Sequence, residues 1–258
     1  MTGKRDESTS SPDGRAAGWY LASGLGLSAL LGVVPDPWRG WMLVGLSLSA
    51  AAATVHAWRR HGWWAANPPA ALMAGGACLL VPAYLLWYPA ARDWELASVA
   101  VTDWLFLAAY STFLVALGGM VRQRASGDHS GWLLDSAIVT VGLGVLAWVF
   151  AIQPLAQHDT LGLTERAVAI AYPLIDLALV SLAFRLALQS GGADGDRLLV
   201  GWAGTQLVAD LLYAVSVLDG TFDLASPQTL VYPVSFVFLG AAALHPRRAV
   251  LPASRPGS

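Results

Sequence analysis

What most constrains this chain is a succession of eight long apolar stretches parted by short polar links. About 20 mainly apolar residues cross a bilayer as a helix, because in lipid a backbone must satisfy its own hydrogen bonds. The stretches are Trp19–Val34, Trp38–Trp58, Ala70–Pro89, Leu96–Val121, Trp132–Ile152, Glu165–Gln189, Leu198–Leu218 and Thr229–Leu244. Charged residues make up only 12% of the 258, against about 25% in a soluble domain, and they gather in the links. The reading is an all-α, polytopic membrane protein built as a bundle of eight transmembrane helices. A soluble alternative would need solvated helical faces that these stretches do not have.

Orientation follows from the basic residues. With both termini in the cytoplasm, the inner segments hold Lys4, Arg5, Arg15, Arg59, Arg60, Arg122, Arg124, Arg185, Arg197, Arg247, Arg248 and Arg255. Only Arg39, Arg92 and Arg166 fall outside. That asymmetry is the positive-inside pattern, and losing one span would send every later arginine to the wrong side. The expected organisation is a disordered cytoplasmic tail over 1–16, an eight-helix membrane domain over 17–246 and a short basic cytoplasmic tail over 247–258. The first apolar stretch reads as a retained helix rather than a cleaved signal. The links Ala125–Ser130 and Ser190–Asp196 read as loops. Trp19, Trp38, Trp41, Trp58, Trp87, Trp94 and Trp132 fall near helix ends, as interfacial belts require, with Trp104, Trp148 and Trp202 deeper. The expected localisation is the cell membrane, as a multi-pass protein.

Four aspartates interrupt the stretches: Asp103, Asp135, Asp176 and Asp210. An ionised aspartate at mid-membrane costs about 2.5–3.5 kcal/mol on insertion scales, so such residues face a bundle interior or water. By helical rise, Asp176 and Asp210 fall near the midplane, Asp103 nearer the outer surface and Asp135 near the inner end. Two readings stay open. In one, Asp103, Asp176 and Asp210 line a polar cavity with Tyr110, Tyr172, Gln206 and Tyr213, where a ligand or cation binds or a proton passes. In the other, each aspartate is neutral or bonded by Tyr, Trp, Thr or Gln206 and holds helices together. Pro173, three residues before Asp176, removes a backbone donor and is the expected site of a helix kink beside that cavity. Tyr88-Pro89 and Tyr232-Pro233 repeat the Tyr172-Pro173 pair, and the fourth–fifth and sixth–seventh stretches read as a loose parallel repeat of hairpins. Gly75-Gly76, Gly118-Gly119, Gly142-x-Gly144 and the alanines Ala50–Ala53 read as surfaces for close helix contact.

Other chemistries find no support in the residues. The net charge of −2 gives no pull on nucleic acid. The single cysteine, Cys78, excludes an intrachain disulfide. His56, His61, His129, His158 and His245 have no metal-ligand spacing, and no phosphate loop or zinc-protease pair occurs. The only lysine, Lys4, lies in the N-terminal tail, which excludes a retinal Schiff base. No catalytic site, cofactor or metal is therefore expected.

From the fourth stretch onward the order of features resembles a known region. It runs Asp103 with Tyr110, Arg122-Gln123-Arg124, Trp132-Leu133-Leu134-Asp135, Trp148 with Pro154, then Tyr172-Pro173-Leu174-Ile175-Asp176-Leu177. Ala209-Asp210-Leu211-Leu212-Tyr213 and Ala241-Ala242-Ala243-Leu244-His245-Pro246 complete it. This ordered set is similar to the multi-helix N-terminal membrane region of actinobacterial signalling proteins that continue into a diguanylate cyclase (GGDEF) domain, often followed by a phosphodiesterase (EAL) domain. The resemblance implies a membrane sensor whose last helix hands over to a cytoplasmic output module near Ala-Leu-His-Pro. No cyclase or phosphodiesterase motif occurs among these residues. The expectation is thus a non-enzymatic sensory or scaffolding module of a signalling system, with the bilayer, a cytoplasmic or membrane signalling partner, and self-association as its partners. The alternative is a small transporter or channel for protons, cations or a small solute that uses the intramembrane aspartates.

Overall fold

The computed structural model describes residues 12–60, 67–93, 101–124, 130–157, 162–221 and 227–245. All regular structure among them is helical. The helices are α1 (Pro12–Leu30), α2 (Asp36–Arg60), α3 (Pro68–Asp93), α4 (Val101–Arg124), α5 (Ser130–Ala147), α6 (Gln153–Gln157), α7 (Leu163–Gln189), α8 (Asp194–Leu218) and α9 (Val231–Leu244). A π-helical turn, Trp148–Ile152, fuses α5 and α6 into one rod, and a 3-10 turn, Pro227–Leu230, leads into α9.

Six segments are long and apolar enough to cross a membrane: Trp38–Arg60, Pro68–Tyr88, Val101–Arg124, Thr140–Gln157, Leu163–Gln189 and Asp194–Leu218. Their outward faces carry apolar side chains such as Val115, Ile138, Val141, Phe150, Leu174 and Val208, while Asp176, Gln206 and Ser235 are enclosed. A helix apolar toward its surroundings as well as toward its core belongs in lipid. The chain is a polytopic membrane protein. Helices α1 and α9 fall outside the six: α1 opens on polar residues and α9 has only 14.

The boundaries depart from expectation at four places. Helix α1 begins at Pro12, so residues 12–16 are helical rather than part of an irregular tail, because proline suits the first turn of a helix. Pro89 does not end α3, which runs on to Asp93. Pro154 does not end the fifth rod either. Its ring would clash with the carbonyl four residues earlier, and the backbone widens into the π turn instead, with the Gln153 N–H bonded to the Trp148 carbonyl. The expected loop Ser190–Asp196 stops at Ala193, and Asp194 and Asp196 enter the first turn of α8, where acids suit the helix dipole. Gly191 and Gly192 make the preceding turn at φ of 67° and 77°. The expected tails beyond residues 12 and 245, the link 125–129, His61, His129, His158 and the Asp135 side chain lie outside what is described.

Helices α9, α2, α3, α4, α7 and α8 close a ring in which each packs on the next. Helix α1 packs outside on α9, and the α5–α6 rod packs outside on α7 rather than on α4. The proposed repeat of hairpins therefore has no counterpart, since α4 and α8 sit in the ring and α5 does not. Close approach depends on bare backbone at three seams, one of them Gly40 against the Tyr88 ring across α2 and α3. A Cβ on Gly76 would stand 2.8 Å from the Phe113 ring across α3 and α4, and one on Gly240 would strike the Tyr20 ring where α1 meets α9. Gly75, Gly118 and Gly142 border open space. Several serine and threonine hydroxyls inside the helices bond the carbonyl one turn back, as Ser28 does to Gly24 and Thr54 to Ala51, which satisfies those hydroxyls in an apolar setting.

The ring's lower interior is solid. Phe113 and Trp202 pack edge-to-face at 4.9 Å, with Leu117, Leu186 and Leu199 all but inaccessible around them. Trp202, expected deeper than the belt tryptophans, is thus a core residue. Below this layer Arg124 at the end of α4 meets Asp196 at the start of α8, 2.6 Å apart. His245, at the end of α9, lies beside Asp194.

Candidate functional site

At the opposite end of the ring lies a cavity of about 200 Å³. Its walls come from five elements of the ring and the α6 turn: Tyr84 and Trp87 (α3), Asp103, Phe106 and Tyr110 (α4), Leu155 (α6), Glu165, Tyr172 and Pro173 (α7), Asp210 and Tyr213 (α8), and Tyr232 (α9). The helical register explains this meeting. Asp103, Phe106 and Tyr110 repeat at three and four residues along α4, as Glu165, Ala169 and Tyr172 do at four and three along α7, so each set shares one face.

Asp210 is the hub of the floor. Its Oδ1 accepts the Tyr232 hydroxyl at 2.8 Å, and its Oδ2 accepts the Tyr110 hydroxyl at 3.1 Å and the Gln206 amide at 3.4 Å. Gln206 also donates to the Tyr110 oxygen, and its own Oε1 accepts the Ser235 hydroxyl at 2.8 Å. Three side chains, from α4, α8 and α9, therefore converge on one carboxylate, with Ser235 behind them. A second, separate pair lies nearer the mouth, where the Tyr172 hydroxyl donates to Asp103 Oδ1 at 3.0 Å. The Tyr110 and Tyr172 rings stand edge-to-face at 5.8 Å and join the two groups. Trp87 lies edge-on to Tyr213 at 6.5 Å and bonds its hydroxyl.

Asp176 does not line the cavity. It is wholly buried behind the floor, and neither of its oxygens receives a bond from a surrounding N–H or O–H. What it touches is the carboxyl of Asp210. Two carboxyl groups hydrogen bond only when one carries a proton. The hydroxyl and amide donors all point at Asp210 and none at Asp176.

No family model matches this chain, and no curated protein or solved structure is similar to it. The site must be read from its own geometry.

Of the residues singled out in the sequence, Asp103, Tyr110, Tyr172, Pro173, Asp210 and Tyr213 border the cavity, and Gln206 and Asp176 lie directly behind Asp210. Pro173 sits inside a helix that runs unbroken from Leu163 to Gln189. Its missing N–H frees the Ala169 carbonyl, and both residues border the cavity. Sequence reasoning missed Tyr84, Trp87, Glu165 and Tyr232 as wall residues, and Ser235 behind the floor. Tyr232 had a signal, the repeated Tyr-Pro pair, but Tyr84 is one aromatic in an apolar helix and nothing local marks it. Among the described residues no cluster of three or more His, Cys, Asp or Glu is arranged to hold a metal ion.

Proposed function

We propose that this protein is a non-enzymatic sensory module of the cell membrane, in which a small ligand entering the cavity shifts the packing of α4, α7, α8 and α9. The observation that carries the reading is the hydrogen-bonded hub at Asp210, which ties three ring helices together at the floor of an accessible cavity. A ligand touching that hub acts on helices whose far ends carry the Arg124–Asp196 pair and His245. It shifts the balance of two packings to the extent that it binds one more tightly. A signalling partner at that far end would read the change, in keeping with the resemblance to cyclase-linked membrane regions.

The topology belongs to the same reading. All eight rods cross the bilayer, both termini are cytoplasmic, and the cavity opens on the outer face. The charge asymmetry of the links supports this, as does the meeting of the α4 and α9 ends with the start of α8. Reporter fusions in the 125–129 link and in the 222–226 link are expected on opposite faces, cytoplasmic and external respectively. Both on one face would sink the eight-span arrangement.

A transporter or channel shares the carboxyl pair, but Phe113, Trp202, Leu117 and Leu199 fill the ring between Asp210 and the charged end, which favours a closed sensor. Liposomes carrying the protein are expected to show no proton or cation flux above empty vesicles. Flux that Asp210→Asn abolishes would establish the transporter instead. Asp176→Asn and Asp210→Asn proteins are expected to insert normally while altering the signalling response, and unchanged behaviour in both would end the sensory proposal.

A further inference from the structure

Tyr84 differs from the tyrosines that serve the hub. Tyr110 and Tyr232 direct their hydroxyl protons at Asp210, and Tyr172 directs its proton at Asp103. The Tyr84 hydroxyl has no hydrogen-bond partner among the described residues. The residue is only 2% exposed, yet it borders the cavity, and its hydroxyl lies within electrostatic reach of Asp210 and Asp176. A hydroxyl shut away from bulk water without a partner costs free energy. It is a donor waiting for an acceptor.

The ring that carries it cannot swing away. Phe106 at 4.8 Å, Phe236 at 4.9 Å, and Trp87 and Tyr232 at 6.1 Å all stand edge-on to it. The position of the O–H is therefore set before anything binds, which lowers the ordering cost of capturing an acceptor.

Asp210 has little left to offer a ligand. A carboxylate presents about four lone-pair sites, and Tyr232, Tyr110, Gln206 and the Asp176 carboxyl already stand against this one. A cation reaching the floor would find that carboxylate engaged, and an anion would sit beside the carboxyl pair. What the floor leaves open is one O–H flanked by the Phe106 and Tyr232 rings, which also border the cavity and pack well against a flat apolar body.

We infer that the deep end of the cavity takes a small, neutral, flat molecule with a carbonyl-type oxygen, which accepts the Tyr84 O–H while the apolar body lies against Phe106 and Tyr232. This rests on the proposed reading of the cavity as a ligand site and names the class of ligand.

The test uses the full chain in nanodiscs, with binding read by tryptophan fluorescence and thermal shift and corrected for partition into empty discs. Four probes share one shape: acetophenone carries the carbonyl, isopropenylbenzene lacks the oxygen, benzamidinium is a cation and benzoate an anion. Tyr84→Phe keeps the ring and has no bond to lose, so its unfolding midpoint is expected to stay unchanged. Acetophenone is expected to bind it about ten-fold more weakly than the unaltered protein, the worth of one hydrogen bond, while isopropenylbenzene binds both alike. The two charged probes are expected to bind the unaltered protein at least about ten-fold more weakly than acetophenone. Tyr20→Phe, which loses its bond to Ser49 outside the cavity, is expected to leave all four affinities unchanged. If Tyr84→Phe does not fold, the preference of the unaltered protein for acetophenone over isopropenylbenzene decides. Unchanged acetophenone binding in Tyr84→Phe, an equal loss for both neutral probes, or tighter binding of either ion overturns the inference and leaves a ligand cavity in place. Binding of none of the four overturns both the inference and the ligand-site reading, with water as the partner of the Tyr84 hydroxyl.

Discussion

Asp210→Leu is expected to lower the unfolding free energy of the solubilised protein by about 2–4 kcal/mol, since a buried donor left without its acceptor costs about 1–3 kcal/mol. Three donors lose their acceptor at once: the hydroxyls of Tyr110 and Tyr232 and the amide of Gln206. The tyrosine hydroxyls can turn toward the cavity and recover part of the loss, so the total stays below a simple sum. Asp176→Leu makes the informative contrast. That carboxyl has no donor to orphan, and its removal takes away only its own bond to Asp210, so the expected loss is about 1 kcal/mol, the worth of one ordinary hydrogen bond. Thermal or denaturant unfolding followed by tryptophan fluorescence separates the two. If Asp176→Leu is the more damaging, the hub has been assigned to the wrong aspartate.

The second large effect lies at the other end of the ring. Arg124→Leu leaves the Asp196 carboxylate, 3% exposed, without its cation. Breaking a buried ion pair from one side typically costs about 3–5 kcal/mol, and the position of Asp196 in the first turn of α8 offsets part of that through the helix dipole. A loss near 3 kcal/mol is expected. Arg124→Leu combined with Asp196→Asn should lose less than Arg124→Leu alone, because the stranded charge is gone. Arg197 and Asp194 form an ion pair too, but each is more than two-thirds exposed, and Arg197→Ala is expected to change stability by less than about 0.5 kcal/mol. Equal losses from Arg124→Leu and Arg197→Ala would mean that the buried pair has no special hold on the α4–α8 contact.

These two sites differ in how far the sequence foretells them. Asp176 and Asp210 look alike on paper, each a lone carboxylate deep in an apolar helix, and one of the two open readings of the sequence places both in a single cavity. The structure separates them into a bonded hub and a buried partner, because Tyr110 and Tyr232 reach α8 from α4 and α9 while nothing with a free proton reaches Asp176 on α7. In the sequence Arg124 is legible only as a charge ending a helix, and its partner Asp196 reads as part of a loop. Pairing them requires knowing that α4 and α8 end side by side, across 72 residues of chain.

Taken alone, the residues determined that this chain lives in a membrane as a set of helices and roughly where each begins and ends. Those properties follow from the length of apolar runs and from the obligation of every backbone group to bond within its own segment, both local quantities. They also marked which polar side chains must face inward, since lipid admits none of them cheaply. Tertiary structure alone decided which helices form the ring and which stand outside it, and that α5 leans on α7 instead of α4. It also decided which tyrosines spend their protons on which carboxylate. Helices that are apolar on every side carry no stripe to say which neighbour they prefer. That choice falls to bare-backbone seams such as Gly76 against Phe113 and to bonds between residues far apart in the chain.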